Sequence, residues 1–524
     1  MPAIRPWFSL LHALWVLLRE GVITALPDEG APPPIVRLKQ IAKLVQRRRV
    51  ENQPQSAVLS RALNRLGPSW VKLGQFLATR PDIVGKSIAI DLELLQDRMD
   101  AFPQPEARER IAKTLGEPLE NIFHEFGECI AAASIAQVHK AKVDKEGVIT
   151  DVAVKVIRPG VRGRFNYDLH TFYTAARTME RWFPATRRLQ LVASVDMLAA
   201  SAKLEMDLRL EAAGFSEMAD NISQDKGFRL PAIDWSRSGR DCITMDWVDG
   251  IKMNNLAALK ASGHDLPAIA NRINQSFLHH ALRDGFFHAD MHPGNLFVAS
   301  NSDIVAVDLG ITGRIGKAEK RFLAEILYGF ITRDYRRVAE VHFEAGYVPA
   351  HKDVASFAQA LRAVGEPIHG QSADKVSMAS LLSLLFEITE LFEMKTQPQL
   401  LLLQKTMVVV EGVARSLDPH FNMWTSAEPI VSDYVRKQIG PLGVVEDLRD
   451  GALAAGKLAR MAPEFAHRTE RLSEEIDKMA QNGVRLDQPT IDAIGKAEAR
   501  HSRSGRVALW VIAVAAATAV WTLL

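Results

Sequence analysis

Residues 288–310 hold the pattern that most restricts how this chain can fold. Asp290 is followed five positions later by Asn295, and Asp308 stands directly before a Leu-Gly pair. Phosphoryl transfer from ATP uses one carboxylate at the attacking group, and a carboxamide with a second carboxylate to hold magnesium. The pattern therefore predicts that Asp290 is catalytic and that Asn295 and Asp308 bind Mg²⁺. Such a site also needs a lysine, a loop over the phosphates and an acidic partner elsewhere in the chain.

The order of predicted elements places this pattern in the second of two lobes. Strand-like runs at 137–143 and 152–157 are joined by the turn DKEG, whereas the chain after residue 265 is mostly helical. This order predicts an α+β, bilobal protein-kinase-like fold with an N-terminal helical extension and a C-terminal transmembrane helix. The predicted segments are an amphipathic or membrane-associated segment (1–30), the helical extension (35–115), a β-rich N-lobe (116–250), a helical C-lobe (251–440), a helical tail (441–505) and the anchor (507–524).

The lysine is predicted in the strand VAVKV. Alternation places Val152, Val154 and Val156 on one face and Lys155 with Ala153 on the other. A lysine that points into an ATP cleft neutralises the α- and β-phosphates, and VAVKV matches the V-A-I-K pattern of kinases. Lys155 is therefore predicted to bind ATP, although a strand lysine commonly just faces solvent.

The phosphate-covering loop is predicted just before this strand pair, and it contains no glycine. Glycine normally permits positive φ and a close approach of the backbone to phosphate, and alanine restricts both. The conformation of this loop must therefore differ from that of an ordinary kinase loop. The residues predicted to contact ATP here are Ile130, Ala131, Ala132, Ala133, Ser134, Ile135, Ala136, Gln137 and Val138.

The acidic partner of Lys155 is predicted in the helical segment 202–215. Asp207 and Glu211 are four residues apart and share a helix face, whereas Glu205 points about 200° away from Asp207 around the helix. Glu211 is predicted to pair with Lys155, and Glu205 to face a different partner. A solvated acidic face is the alternative.

The segment TMDWVDG (244–250) is predicted to be the hinge between the lobes. Backbone groups near Asp246 and Val248 are predicted to read the adenine edge, which needs no special side chains.

A polar pair interrupts the apolar helix predicted within residues 66–82. Lys72 and Gln75 lie among large apolar side chains, with Gly74 between them, so both are expected to be partly buried and to need acceptors. Glu205 is one candidate acceptor.

Composition excludes several classes of site. Lys and Arg total 64 and Asp and Glu total 62. The charges nearly balance, so no overall positive electrostatic field that would attract nucleic acid is expected. Cys129 and Cys242 are the only cysteines and lack metal-ligand spacing. A disulfide framework and a structural zinc site are therefore not predicted, and a reducing compartment is favoured.

Both ends of the chain suggest contact with a membrane. Residues 507–524 carry no charge, and as a helix they would span about 27 Å, enough to cross a bilayer. Arg503 and Arg506 precede them and favour a cytoplasmic N-terminal side. Residues 7–26 are apolar but interrupted by charges, so an amphipathic helix on the membrane or on the domain is favoured over a signal peptide.

Together these motifs resemble the UbiB/ADCK family of atypical kinases, over roughly residues 35–440. The segments that carry the resemblance are KLGQ (72–75), AAASIAQVH (131–139), VAVKV (152–156), EMD (205–207) with EAA (211–213), TMDWVDG (244–250), HADMHPGNLF (288–297), VDLG (307–310) and LLLQKTMVVVEGVARSLDPHFNMW (401–424).

The resemblance implies ATP and Mg²⁺ as cofactors and ATPase activity more than protein phosphorylation. It implies support of ubiquinone (coenzyme Q) biosynthesis at the inner, cytoplasmic membrane, with a membrane lipid or polyprenylphenol quinone precursor and other ubiquinone-biosynthesis proteins as partners. A homodimer is left open. By motif position, Lys72 and Gln75 belong to an extension that limits access to the site, with Glu205 and Asp207 beneath it.

Three other functions remain open from the residues. A small-molecule kinase would phosphorylate a membrane lipid directly, and a scaffold would bind ATP and lipid without productive turnover. A metal hydrolase would use His288, Asp290 and His292, which form an H-x-D-x-H pattern.

Overall fold

The computed structural model describes residues 5–22, 58–78, 80–84, 88, 92, 99–370, 388, 391–394 and 398–439. The predicted tail (441–505) and the predicted anchor (507–524) lie outside these residues. Among the helices that are described, none is both long and apolar enough to cross a bilayer.

Strands and helices follow one another in the order predicted for two lobes. The strands are β1 (Glu125–Ala132), β2 (Ala136–Lys145), β3 (Val148–Ile157), β4 (Phe228–Arg229), β5 (Cys242–Asp246), β6 (Ile251–Lys252), β7 (Phe286–His288), β8 (Leu296–Val298), β9 (Ile304–Ala306) and β10 (Thr312–Arg314). The helices are α1 (Arg5–Glu20), α2 (Val58–Leu66), α3 (Pro68–Ala78), α4 (Pro81–Val84), α5 (Gln104–Leu115), α6 (Leu119–Ile122), α7 (Val161–Trp182), α8 (Leu191–Glu205), α9 (Leu208–Asn221), α10 (Leu256–Ala261), α11 (Leu266–His279), α12 (Lys317–Thr332), α13 (Tyr335–Glu344), α14 (Val354–Gly370), α15 (Pro398–Leu417) and α16 (Met423–Tyr434). Short 3-10 segments occupy Pro184–Leu189 and Trp235–Arg237, and π-helical turns occupy His280–Asp284 and Val435–Ile439.

The N-lobe is an antiparallel sheet with strand order β1-β2-β3-β5. Val152, Val154 and Val156 are fully buried on one face, where they pack with residues of α5 such as Ile111. Lys155 points to the other face, so the predicted alternation is confirmed. Helix α5 therefore covers the sheet, and it belongs with the N-lobe rather than with the predicted extension (35–115).

The C-lobe is built around α11, which packs against α15 and α16. The side chains of Asp265 and Asn422 accept backbone N–H groups at the starts of α11 and α16, which satisfies donors that a helix leaves unpaired. Two small sheets lie in this lobe. One has the order β4-β9-β8-β6, and the other pairs β7 with β10.

The described part of the extension packs on the helices that follow β3. Helix α3 contacts α7 and α8, and the ring of Trp70 meets that of Phe172 edge to face at 4.9 Å. Helix α1 lies against α2 and α7, with Ala13 buried between them. The N-terminal helix is therefore held on the domain through one of its faces.

The segment 202–215, predicted as one helix, is two helices. Helix α8 ends at Glu205, and α9 begins at Leu208. Asp207 is the N-cap of α9, and its side chain accepts the backbone N–H of Arg209 at 3.2 Å. A short polar side chain at this position competes with helical continuation and stabilises a new helix start. The prediction that Asp207 and Glu211 share one helix face is therefore wrong.

Candidate active site

Lys155 lies at the centre of the site, between the two lobes. Its Nζ donates to Oε1 of Glu211 at 2.7 Å and to Oδ2 of Asp308 at 2.9 Å. Strand β3 supplies the lysine, α9 supplies Glu211, and the loop between β9 and β10 supplies Asp308. The Lys155 and Glu211 side chains are 10% and 6% exposed, so this ion pair is largely removed from water, whereas the Asp308 side chain is 38% exposed. The structure thus brings together three residues that the sequence assigned to one site.

Burial and charge act against each other in this cluster. Burial alone would lower the pKa of Lys155, but Asp308 and Glu211 outweigh it and hold that pKa well above its usual value. Burial opposes ionisation of Asp308, yet Lys155 beside it holds the pKa of this carboxyl below its usual value. Burial raises the pKa of Glu211 against the pull of Lys155. The lysine is therefore charged, and Asp308 is the carboxylate that ionises more readily.

The loop that carries Asp290 is held by a network of backbone bonds. The amide of Ala289 donates to the carbonyl of Ile311 at 3.0 Å, which continues the β7–β10 pairing. Asn295 Nδ2 donates to both the carbonyl and the carboxylate Oδ2 of Asp290, each at 3.2 Å. Asp290 and Asn295 therefore lie side by side, with the amide orienting the carboxylate.

The two histidines of the loop bind its own backbone. The amide of Asp290 donates to Nδ1 of buried His288 at 3.3 Å, and the amide of Gly294 donates to Nδ1 of exposed His292 at 3.1 Å. Burial lowers the pKa of His288, so its ring is neutral. These bonds give both rings a role in shaping the loop. Within the described residues, no three His, Cys, Asp or Glu side chains form a group that could hold a metal.

The side-chain oxygens of Asn295 and Asp308 suit a magnesium ion that binds together with a nucleotide. Mg²⁺ in such sites is bound by one or two side-chain oxygens and completes its shell with phosphate oxygens and water. Asp308 accepts bonds from Lys155 and, at 2.8 Å through Oδ1, from the amide of Gly310. Its carboxylate still has lone pairs for a cation, and Asn295 keeps its Oδ1. Asn295 and Asp308 therefore fit the predicted metal ligands.

The alanine-rich segment is the hairpin between β1 and β2. The amide of Ala133 donates to the carbonyl of Ala136 at 2.8 Å and closes the hairpin around Ser134 and Ile135. No residue from 130 to 138 has a positive φ. This explains how a loop without glycine forms, because the hairpin needs only backbone angles that alanine adopts readily.

Gln137 and Val138, two of the nine residues assigned to ATP in this segment, lie on opposite faces of the sheet. Val138 lies opposite Lys155 across the β2–β3 pair and shares its face. Gln137 is buried, and its side chain accepts the amide of Phe102 at 2.9 Å and donates to the carbonyl of Phe102 at 3.1 Å. The side chain of Gln137 therefore has a structural role on the face away from Lys155, and the assignment of this residue to ATP stays a prediction.

The neighbouring His139 completes this structural network. Its Nε2 lies 2.8 Å from Nε2 of Gln137, and its Nδ1 lies 2.9 Å from the carbonyl of Gly127. Because Gln137 Nε2 is a donor, the ring must accept at Nε2 and donate at Nδ1. Burial lowers the pKa of His139, which fits this neutral form.

The predicted hinge (244–250) begins within β5 and continues past its end at Asp246. The amide of Asp246 donates to the carbonyl of Ala232 at 3.0 Å, while its carboxylate pairs with Lys145 at 2.7 Å and faces outward. Val248 makes no hydrogen bond to any other residue that the structure describes. The Val248 backbone is thus available to a ligand, whereas the side chain of Asp246 is not directed to one.

Lys72 and Gln75, the polar pair of α3, lie in different surroundings. Lys72 forms an ion pair with Glu205, and their side chains are only 12% and 10% exposed. Gly74 is buried and Gln75 is half-buried. Asp207 is not part of this contact, because its carboxylate binds Arg209 at 2.7 Å. The candidate acceptor Glu205 thus meets Lys72, whereas the carboxylate of Asp207 pairs with Arg209.

One residue that supports the site had no signal in the sequence. Thr406 of α15 is fully buried, and its hydroxyl lies 3.1 Å from the carbonyl of Ala289 and 2.8 Å from that of Leu402. It therefore joins α15 to the residue before Asp290. A threonine in an apolar helix gives no local indication of this contact.

Comparison with protein families matches two parts of the chain. Residues 94–342 match the ABC1 atypical kinase-like domain, and residues 361–422 match the UbiB helical domain. The first match includes the N-lobe sheet and the Lys155 cluster. The second includes most of α14 and α15, and therefore Thr406.

Curated proteins named probable protein kinase UbiB are similar over most of the chain. The protein from Actinobacillus pleuropneumoniae serotype 7 is 34% identical over 94% of this chain and 91% of its own length. The Marinobacter nauticus protein is 36% identical over 84% and 81%, and the Histophilus somni protein is 38% identical over 74% and 73%. The solved Rv3197–erythromycin complex from Mycobacterium tuberculosis shares the fold, with a TM-score of 0.50, 21% identity and coverage of 71% of this chain and 96% of that one.

Proposed function

The chain belongs to the UbiB family of ABC1 atypical kinase-like proteins, and from this we propose that it binds ATP with Mg²⁺ and hydrolyses it. We assign the activity to the support of ubiquinone biosynthesis, coupled to the handling of polyprenylphenol lipids at a membrane. The observation that carries the proposal is the Lys155 cluster, in which one lysine joins a helix carboxylate and the carboxylate of the DLG segment. This arrangement is the one that positions phosphates in kinases.

Each residue of the cleft has one role in this proposal. Lys155 binds the α- and β-phosphates, and Glu211 fixes the direction of the lysine. Asp290 accepts the proton of the attacking water. Asn295 helps to orient Asp290 by donating a hydrogen bond to its carboxylate. Asn295 and Asp308 would hold Mg²⁺, which neutralises charge on the transferred phosphoryl group. Carboxylates outnumber the single lysine in the cleft, and this excess of negative charge favours a cation.

Two features favour water or a small lipid over a protein as the acceptor. The extension is fixed to the domain by the Lys72–Glu205 ion pair and by the contact of Trp70 with Phe172. A peptide substrate would have to compete with a structured segment of the same chain. The proposal takes the extension to limit access to the site, with Gln75 on the part of α3 nearest its C-terminal end.

Helix α1 supports the membrane location. Its exposed face carries Trp7, Phe8, Leu11, Leu14 and Trp15, which are between 39% and 66% exposed. Apolar and aromatic side chains on one face of a surface helix are typical of interfacial binding. The segment 507–524, outside the described residues, is proposed as the anchor that crosses the inner membrane.

The proposal is tested by ATP hydrolysis in liposomes with the full chain. Mg²⁺-dependent hydrolysis is measured for the wild type, for Asp290→Asn and for Asp303→Asn, each with and without a polyprenylphenol. Removing a general base lowers a rate by about 10² to 10⁴, so Asp290→Asn is expected to lose hydrolysis while it still binds nucleotide. Asp303 is half-buried in the turn after β8, where its carboxylate binds Asn301 and lies 3.9 Å from Arg229. It is not part of the Lys155 cluster, so Asp303→Asn is the matched control and is expected to behave as wild type.

The products distinguish the remaining functions. Inorganic phosphate without any phosphorylated lipid or protein supports the ATPase. A phosphorylated polyprenylphenol would instead identify a lipid kinase. Binding of ATP with equal, negligible turnover in all three proteins would identify a scaffold, and no binding at all would overturn the proposal. A strain that carries Asp290→Asn is expected to lose ubiquinone, which tests the pathway.

A further inference from the structure

Arg158 connects the alanine-rich hairpin to the end of the extension. It follows β3 directly, three residues after Lys155. Its Nη2 donates to the carbonyl of Ala133 at 3.1 Å and to the carbonyl of Asp100 at 2.9 Å. Its own amide donates to the carbonyl of Ile135 at 2.8 Å. One residue thus holds the tip of the hairpin at two points and a separate segment of chain at a third.

The segment 99–102 forms the other side of this connection. The amide of Met99 donates to the carbonyl of Ala132 at 3.3 Å. The ring of Phe102 lies under the guanidinium of Arg158, with 5.4 Å from Cζ to the ring centroid, and its backbone is bound by Gln137. A guanidinium over an aromatic face is attracted to it. The hairpin is therefore fastened to residues 99–102 along one edge.

These bonds are separate from the ladder that forms the sheet. The β2–β3 pairing runs from Ala136–Ile157 to Lys145–Val148 without any side chain of Arg158. Loss of the guanidinium would leave the ladder in place and release only the tip. Hydrogen bonds from a charged donor contribute more than neutral ones, and here they join the bend of the hairpin to residue 100.

We propose that Arg158 is a positioning residue for the nucleotide, because it fixes the alanine-rich hairpin against the end of the extension. The inference rests on the proposed function, in which the hairpin covers the phosphates. Arg158 acts through the backbone of the hairpin and contacts neither phosphate nor metal. The nucleotide is then covered by the hairpin, and the contact of the hairpin with residues 99–102 sets its distance from Lys155.

The test compares three variants of the full-length chain. Arg158→Gln removes the guanidinium, and Arg158→Lys keeps the charge but loses the planar fork. Arg237→Gln is the matched control. The guanidinium of Arg237 also donates to a backbone carbonyl elsewhere in the N-lobe, that of Ile122 at 3.1 Å. Two quantities are measured: the affinity for a fluorescent ATP analogue with Mg²⁺, and amide hydrogen exchange of residues 131–136 without nucleotide.

Arg158→Gln is expected to weaken nucleotide binding by between about threefold and about thirtyfold. It should also speed amide exchange in residues 131–136 while amides in β3, and in β2 after Gln137, stay protected. Arg158→Lys is expected to lie between Arg158→Gln and wild type in both measurements, and Arg237→Gln to match the wild type.

Two results would overturn the inference alone. One is wild-type affinity in Arg158→Gln. The other is weaker binding with unchanged exchange in the nucleotide-free hairpin, which would make Arg158 a direct phosphate ligand. A wild-type chain that binds no nucleotide would instead overturn the proposed function, and the inference with it.

Discussion

Two buried lysines of this protein face carboxylates in different ways. Lys155 in the cleft meets two carboxylates, Glu211 and Asp308, from two separate segments. Lys72 in the extension pairs with Glu205 of α8. The cleft cluster is held by a strand, a helix and a loop at once, whereas the extension pair joins one helix to the end of another.

The difference shows which contact fixes the fold and which one can be exchanged. Removing one member of a buried cluster leaves an uncompensated charge away from water, which destabilises strongly. The extension pair consists of one cation and one carboxylate, so reversing both charges should restore their attraction. The cleft cluster is not symmetric, because Asp308 remains when the other two are reversed.

The largest expected effect comes from Lys155→Met. It leaves Glu211 and Asp308 without their cation, so we expect the free energy of unfolding to fall by about 3 kcal/mol. ATP hydrolysis should fall at least about a hundredfold, because the phosphates lose their cation. Denaturant unfolding and hydrolysis assays measure both. Lys142→Met removes an exposed ion pair with Glu125 and should change neither; equal effects of the two variants would end the distinction between buried and exposed pairs.

An intermediate effect is expected from reversing charges in each pair. Lys72→Glu alone should lower the free energy of unfolding by about 1 to 2 kcal/mol, and adding Glu205→Lys should restore most of it. Lys155→Glu combined with Glu211→Lys should not recover, because Asp308 stays next to the reversed charges. Unfolding free energies of the singles and doubles form two cycles. The comparison between the two pairs would be contradicted if the double variant in the cleft regained its stability, or if the double variant in the extension did not.

The smallest effect concerns a carboxyl beneath the extension that has no cation bound to it. Asp168 of α7 is 5% exposed, and its Oδ2 makes no hydrogen bond to any residue described. Burial raises the pKa of Asp168 against the effects of Ser69 and Arg164. The folded state therefore holds this proton more tightly than the unfolded state, and the stability it contributes is lost as pH rises through the folded pKa.

Asp168→Asn should therefore raise the unfolding midpoint at pH 7.5 by about one or two degrees. The gain should shrink as pH approaches about 4, the unfolded pKa of an aspartate. Thermal unfolding across this range measures it. Asp220→Asn, at an exposed carboxyl, should show no such trend, and a gain in Asp168→Asn that is independent of pH would point to packing instead.

Short motifs predicted the centre of the site because each functional residue lies in its own local pattern. Lys155 was assigned by strand alternation, and Asp290, Asn295 and Asp308 by spacing. The resemblance that these motifs carried is confirmed by the family comparison. Their roles with ATP and Mg²⁺ stay predictions.

The differences between the predicted and the observed structure share a physical cause, because each depends on a feature that helical or strand periodicity does not show. Nothing in 202–215 forbids a continuous helix, so the N-cap at Asp207 was missed, although Asp is a preferred N-cap residue. All of 130–138 was assigned to ATP, but β2 has two faces, and Gln137 points to the one covered by α5.

Residues that support the site were missed because their partners are distant in sequence. Gln137 binds Phe102 across 35 residues, and Thr406 reaches Ala289 across 117. Only the folded chain brings them together. An arginine after a strand, such as Arg158, likewise has no local signature for the hairpin it holds.

The hairpin around Ser134 and Ile135 has a thermodynamic consequence for ligand binding. A glycine-rich loop samples many conformations and loses that freedom when it closes on a ligand. This hairpin is already closed by the bond from Ala133 to Ala136 and uses no positive φ. Nucleotide binding should therefore carry only a small unfavourable conformational entropy from this loop. Its calorimetric profile should accordingly resemble that of a preformed pocket rather than that of a segment that folds on binding.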